Sequence, residues 1–529
     1  MLKVLAIFAL LFAPSAWFVW ENRDMPNFDF YHDDGVYFAS AKSLAQTGSY
    51  RLESLPGTPT QTKYPPVLSL WHSITWMINP EFPANLGVAI WLQWIWLPAF
   101  AFLAYLLSRD WGLAPFQRWL LVVGIALSPY PLFFSTAILS EIPFGVLLLA
   151  CLLCLGRGYI WAAAILGGLA FLTRTAGVVL LGSVPIVFLL QKKRRESIQF
   201  VVAMLPFVVG WFLWSKANRA PANDAITQYY VDYLGYHFRV FSWPEAHLFL
   251  WRNADQIIQS AGAFLLPVVY PGQIAKITTQ VFGVAAIVGA VRLARTKPQA
   301  QQFGVFALLS VAVLLLWSFP PNERFLLPLA PLIIAGMIVE FTRIAQAMRI
   351  SFKHKEKSQR TAGYIIATVA TCLIAFCIYT ELAVRFEMMP AAMDSERTRA
   401  NQRKPMYEWI SRNTTPETKI LAGYDAALYL STGRRSAHLI LDPIHWYREE
   451  KVTPQQQVDA YTNTPGYDMI LWTPYDRRND VDSDEQVAVG RALASSKSVQ
   501  YVQEFPNISL MRIISRPPNT PAERSPDHR

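Results

Sequence analysis

Apolar runs of membrane length alternate with short polar links from the N-terminus to about residue 383, and a different pattern begins near residue 394. The first run covers about 4–20. Others fall at about 86–107, 117–134, 138–155, 159–173, 175–190, 198–214, 277–293, 302–318, 325–341 and 361–383. Each approaches the ~20 residues that a bilayer core demands of a helix, so the pattern predicts about eleven transmembrane helices. The run at 4–20 follows Lys3 but lacks a clean small-x-small cleavage site, and it reads as an uncleaved first helix. The stretch 159–190 is either two short helices or one long one, and 262–270 has the length of a re-entrant segment.

Past residue 394 charge and turn residues rise. TKILAG, DMILWT, VQYVQEF and ISLMRII predict short strands. KPMYEWISR and DEQVAVGRALASS space their apolar residues near the helical period and predict helices. The expected organisation is an all-α transmembrane domain over 1–390, carrying outer loops 21–85 and 215–262. A small α/β domain over 394–515 and a disordered tail over 516–529 follow it. No internal repeat is evident.

Composition agrees: of 529 residues 53% are hydrophobic and only 16% charged, against about 25% charged in a soluble protein. The net charge of +10 does not call for nucleic acid, because the basic residues cluster in alternate links. With the N-terminus in the cytoplasm, the inside links hold Arg109 and Arg118, then Arg157, then Lys192 to Arg195. Arg292, Arg295, Lys297 and the run from Arg343 to Arg360 follow on the same side. The same alternation puts 21–85, 135–141, 215–262, 319–324 and everything after about 384 outside. Four cysteines are too few for a disulfide framework, and the Cys151-x-x-Cys154 pair lies inside an apolar run, where inert packing is the expectation.

That sidedness gathers separated polar residues on one face: Asp33 and Asp34 with Lys63, Glu141 in STAILSEIP, and Arg324 in FPPNERFLLP. Basic residues on an outer face run against the topological bias, and an anionic ligand explains Lys63 and Arg324. A lipid-phosphate donor would need cations to hold its phosphate as the bond breaks. An acceptor would need a carboxylate to take its proton, and Asp33 or Asp34 can do so. Each residue also has a plainer reading. Asp33 or Asp34 can cap the following helix. Lys63 can snorkel, Glu141 can cap or pair, Arg324 can anchor a helix end, and Arg174 in FLTRTAG sits at a span boundary as a structural residue. Of the histidines 32, 72, 237 and 247, His32 is the metal candidate, and a divalent metal is left open.

The order of these pieces resembles the GT-C superfamily of membrane glycosyltransferases. The similar groups are the lipid A aminoarabinose transferase, the protein O-mannosyltransferases and the RgtA/B/C/D-like group. The matching pieces are His32-Asp33-Asp34, Gly48-Ser49-Tyr50, Lys63-Tyr64-Pro65-Pro66, SEIP around Glu141, GLAFLTRTAG, and RFLLPLAPLI from Arg324. They span about residues 1–345. The resemblance implies inverting transfer of one sugar from a polyprenyl-phosphate donor on the non-cytoplasmic face. It implies a catalytic acid at Asp33, with Asp34 where relatives often have Glu, so the base stays open between the two. It implies donor-phosphate contacts at Lys63 and Arg324 and an acceptor or metal role at Glu141.

The function expected is a polytopic glycosyltransferase of the cell (inner) membrane, with its site and C-terminal domain on the periplasmic face. It would use a polyprenyl-phosphate-sugar donor among the membrane lipids, with an envelope lipid, glycan or protein as acceptor. The rival readings are a lipid or polysaccharide flippase without chemistry and a scaffold acting through its outer domain. One-sided acids and the lack of a repeat speak against the flippase.

Overall fold

The computed structural model describes residues 2–222, 225–240, 243–267, 273–353, 357–439, 452–474 and 483–514. The expected tail 516–529 and part of the segment 262–270 lie outside the described residues.

The first half is helical: α1 (Leu2–Glu21), α2 (Asp33–Thr47), α3 (Val67–Ile78), α4 (Leu86–Trp94), α5 (Trp96–Asp110), α6 (Pro115–Leu127), α7 (Pro129–Ser135), α8 (Glu141–Gly156), α9 (Ile160–Thr173), α10 (Leu180–Leu190) and α11 (Arg194–Asn218). There follow α12 (Ala225–Val231), α13 (Tyr233–Val240), α14 (Ala246–Ala263), α15 (Gln273–Thr296), α16 (Pro298–Leu315), α17 (Glu323–Leu326), α18 (Ala330–Lys353) and α19 (Lys357–Ala383). Among the described residues, five helical stretches are long and apolar enough to cross a membrane: Leu86–Asp110, Arg194–Asn218, Gln273–Thr296, Pro298–Leu315 and Glu323–Ala347. The pair α6 and α7, bent by 52°, makes a sixth if taken as one span. Length alone therefore supports several spans, and fewer than the eleven expected. The region 159–190 is settled as two helices: α9 ends at Thr173, and a 3₁₀ turn over Thr175–Val179 precedes α10.

Small residues set how closely these helices pack. A Cβ on Gly289 of α15 would lie 1.9 Å from the carbonyl oxygen of Gly336 in α18. Without a hydrophobic drive in lipid, such close backbone approach is a main source of helix association. Gly336→Leu is expected to cost about 3 kcal/mol through overpacking. It should lower the thermal midpoint of the detergent-solubilised protein, and an unchanged midpoint would mean the helices sit further apart.

A π-turn over Val384–Met388 leads into α20 (Met389–Asn413), which carries the chain into the C-terminal domain. There β1 (Lys419–Ala422), α21 (Asp425–Thr432), β2 (Arg435–Ala437), α22 (Pro454–Asn463), β3 (Met469–Trp472), α23 (Ser483–Ser495), β4 (Val499–Phe505) and β5 (Ile508–Ile513) follow. All four predicted strands form. The sheet order is β2-β1-β3-β5-β4. β1 runs parallel to both β2 and β3, β5 is antiparallel to β3, and β4–β5 is a hairpin. Side chains alternate between the two faces of a strand. Met469, Leu471 and Leu510 accordingly pack with Met406 and Ile410 of α20, while Ile470 and Met511 pack with Val458, Val489 and Leu493 of α22 and α23.

This domain sits on the segment between α1 and α4. The Ala427 N–H donates to Asp29 Oδ2 at 3.0 Å, and the Ser436 N–H donates to the Ser54 carbonyl at 2.7 Å. Val36, Tyr37 and Leu52 share one apolar cluster with Leu421, Tyr424 and Ala437. The domain thus packs directly behind the helix that opens with the two aspartates.

Candidate active site

Asp33 and Asp34 are the first two residues of α2, and His32, the residue before it, makes no side-chain cap. The capping role is therefore filled by neither aspartate, although both sit where the helix dipole favours a negative charge. The helix stops at Gly48, whose left-handed backbone (φ 67°) sends its N–H to the Leu44 carbonyl. The two acids then part. Asp34 is fully buried and accepts the Asp29 N–H at 2.8 Å, which braces the turn before the helix. Asp33 faces a cavity of about 230 Å³.

Lys63 and Tyr64 reach the same cavity. Gln61 pins their turn: its Oε1 accepts the Lys63 N–H at 3.0 Å, and its Nε2 donates to Ser40 Oγ of α2 at 3.2 Å. Pro65 and Pro66 then start α3, as their fixed φ suits. Tyr50 of the Gly-Ser-Tyr motif buries its ring and donates to the Tyr64 carbonyl at 3.0 Å. The Tyr64 hydroxyl donates to Asp33 Oδ1. Lys63 Nζ lies 3.3 Å above the Tyr229 ring centroid, so an aromatic face holds the ammonium.

The third element is a chain of charges across helix ends. Arg324, in α17, gives its Nη2 to Asp33 Oδ2 at 2.5 Å and its Nε to Glu141 Oε1 at 2.5 Å. Arg174, just past the end of α9, gives its Nη1 to the same Glu141 oxygen at 2.7 Å and to Ser140 Oγ at 2.9 Å. Glu141 is fully buried at the start of α8, and its second oxygen has no hydrogen-bond partner among the described residues. One guanidinium thus bridges two carboxylates that stand 108 positions apart in the chain, on α2 and α8.

The electrostatics of Asp33 have a clear sign. Burial raises its pKa, but the charges of Arg324 and Lys63 and the Tyr64 hydroxyl outweigh it, holding the carboxyl well below its usual range. Asp33 is therefore an ionised acceptor whose negative charge is shared with Arg324. If the Tyr64 hydroxyl orients that carboxylate, Tyr64→Phe is expected to slow any reaction that uses Asp33 about tenfold, the scale of one such hydrogen bond, with KM near wild type. A wild-type turnover would remove Tyr64 from that role.

Asp33, Lys63, Glu141 and Arg324 are brought together, and Asp34 is not part of the cavity wall. Arg174, read as structural, proves to be a direct partner of Glu141 and lines the cavity. Sequence pattern alone assigns no role to Tyr64, Tyr229 or Gln61. Only Tyr64 carried a signal, its place inside the Lys-x-Pro-Pro run. Between Asp33 and Glu141 the positive charge comes from guanidinium groups, whereas His32 points the other way and joins Asp29 and Asp425. His72 is buried against Gln93, with Nε2 to Oε1 at 3.0 Å, and His237 meets Ser318, so both are held in the packing. Cys151 and Cys154 are free.

No family model matches the chain, and no curated protein matches it. Solved structures do. The ArnT of Cupriavidus metallidurans bound to undecaprenyl phosphate aligns with TM-score 0.54 at 15% identity, covering 95% of this chain and 97% of that one. The same protein in the apo state gives 0.50 at 14% identity, over 96% and 98% of the two chains. The apo oligosaccharyltransferase of Archaeoglobus fulgidus gives 0.50 at 13% identity, over 84% of this chain and 66% of its own. At such identities the likeness establishes the fold alone: this chain is folded like these two proteins.

Proposed function

We propose that this chain is an inverting membrane glycosyltransferase that moves one sugar from a polyprenyl-phosphate donor to an envelope lipid, glycan or protein. The observation that carries the reading is the convergence of Asp33, Lys63 and Arg324 on one cavity, a proton acceptor beside two cations. The undecaprenyl phosphate bound by an ArnT of the same fold supports the donor class. The donor phosphate binds Lys63 and Arg324. Arg324 then shares its charge with the phosphate, which loosens its hold on Asp33 and strengthens Asp33 as a base. Asp33 takes the proton of the acceptor, whose oxygen or nitrogen attacks the anomeric carbon from the side opposite the phosphate. The sugar–phosphate bond breaks, polyprenyl phosphate leaves with both bonding electrons, and the anomeric centre inverts. Glu141, held by Arg174, positions Arg324 and the acceptor. Asp34 is the brace rather than the base. The membrane in question is the cell's inner membrane, spanned about eleven times, with the cavity and the C-terminal domain on the periplasmic side.

The test is reconstitution of the purified protein in liposomes with a panel of radiolabelled polyprenyl-phosphate sugars and an envelope lipid extract. Label passing from the polyprenyl carrier to a new envelope species is the expected result. Label that crosses the bilayer while still attached to its carrier would instead establish a flippase and overturn the transferase reading. Mass spectrometry of envelope glycans and lipids with and without the gene identifies the sugar and the acceptor.

A further inference from the structure

We propose that a pocket walled by α1, α7 and the π-turn that opens into α20 binds one phospholipid, with the headgroup phosphate held by Arg385. The class that fits is a zwitterionic glycerophospholipid with an amine in its headgroup, as in phosphatidylethanolamine.

The pocket has a volume of about 410 Å³ and shares no lining residue with the cavity at Asp33. Arg385 lines it and is only 2% exposed. Its Nη1 donates to the Ala126 carbonyl, one of the last four of α6, which the helix itself cannot pair. Capping α6 thus engages one arm of the guanidinium. The other arm, Nη2, is buried and has no hydrogen-bond partner among the described residues. Glu381, one helical turn earlier, leaves its Oε2 unpartnered as well, so it does not take Nη2. A buried cationic donor is costly to leave unmade, and a phosphate oxygen would satisfy it with a charge-assisted bond. Arg385 also sits in the π-turn over Val384–Met388, a local irregularity that is frequent at functional sites.

The rest of the wall has the character of a lipid headgroup zone. Trp17, Phe18, Leu132 and Phe386 make its apolar part, and Trp17 and Phe386 are 65% and 55% exposed. Aromatic residues near the end of an apolar helix mark headgroup depth, and α1 ends at Glu21. The polar part carries both signs. Arg397 is already engaged: its Nε meets Asp24 at 2.8 Å and its Nη1 meets Asp394 at 2.5 Å, which clamps the end of α1 to α20. Glu21 and Asp394 bring two carboxylates to the lining. A purely anionic headgroup would face those carboxylates. A zwitterion places its phosphate on Arg385 and its ammonium on them. Because α20 carries the chain into the C-terminal domain, a lipid here would tie the root of that domain to the bilayer. The site stands on its own donors and does not depend on sugar transfer.

The test counts and locates lipid. The full chain, purified in a maltoside detergent and stripped of lipid by washing, is titrated with phosphatidylethanolamine and followed by native mass spectrometry. One bound phospholipid per chain is expected, with affinity lowered on the order of tenfold in Arg385→Gln, whose amide can still donate to the Ala126 carbonyl. The lipid should raise the thermal midpoint of the wild type. A diazirine-bearing phosphatidylethanolamine should crosslink to peptides that contain Trp17 or Phe386. A wild type that retains no phospholipid overturns the proposal, and so does affinity unchanged by Arg385→Gln or crosslinking confined to other peptides. Tighter binding of phosphatidylglycerol would overturn the amine headgroup. A midpoint raised by millimolar inorganic phosphate and not by the lipid would make this a free-anion site and overturn the lipid. Wild-type binding and the crosslink position decide the matter even where a variant fails to fold, and none of these readouts involves transferase activity.

Discussion

Asp33→Asn is expected to abolish transfer, by at least the roughly 10²–10⁴-fold attributed to a positioned general base, while the protein still folds and elutes as wild type. The reason lies in how the side chain is held. An amide of the same shape keeps an oxygen for the Tyr64 hydroxyl, and Arg324 keeps Glu141. Asp34→Asn is the matched control. Asp34 accepts a backbone N–H and an amide oxygen still can, so the loss there should be small beside that of Asp33→Asn. Steady-state transfer by the two variants decides the assignment: near wild-type activity in Asp33→Asn would remove Asp33 as the base. In the wild type, pH should matter little through this group. Its pKa sits well below the ordinary carboxylate value near 3.9, so protonation of Asp33 is not expected to slow kcat/KM between about pH 8 and 5.

The second large effect is expected at Arg324. Arg324→Ala removes the one cation that Asp33 and Glu141 share, and leaves two nearly buried carboxylates facing each other. Breaking a buried pair from one side typically costs about 3–5 kcal/mol. Arg174 still holds Glu141, so the cost falls mainly on Asp33. The expected readouts are a lower thermal midpoint in detergent and loss of both transfer and donor affinity. Adding Asp33→Asn should recover part of the stability and none of the activity, since coupled neighbours are non-additive. A double variant no more stable than Arg324→Ala alone would show that the ion pair does not govern stability. The sign with pH follows from the depressed pKa of Asp33. The pair's stabilisation is present above the unfolded value near 3.9 and is lost only as pH falls through the lower folded value. In Arg324→Ala that acid-side loss should begin at higher pH.

How far the sequence could be read depends on which interactions are local. The strands of the C-terminal domain were legible because each is a short apolar run bounded by turn residues, and an alternating strand dictates which face its side chains take. The two helices in 159–190 were ambiguous because Arg174 interrupts the apolar pattern without a helix breaker. What ends α9 there is a 3₁₀ turn that leaves Arg174 free to reach Glu141. Its partner was not legible for the same reason: Glu141 lies 33 positions away, on the preceding helix. Span number is not fixed by helix length, since apolar runs such as Glu141–Gly156 and Ile160–Thr173 make helices shorter than those long enough to count by length alone.

The sequence by itself determined the broad class of fold. Apolar run length is a solvent-transfer property, and the alternation of basic links is a topological one, so both can be read residue by residue. Together they implied a helical membrane chain, a C-terminal α/β domain and five polar positions sharing a face. Only the tertiary structure decided which of two adjacent aspartates looks into the cavity, because α2 turns successive side chains about 100° apart and sends Asp34 toward the Asp29 backbone. Only it could join Arg324 to Asp33 across 291 positions, and bring Asp425 to His32 across 393, because contacts of that range depend on how helices and domains pack.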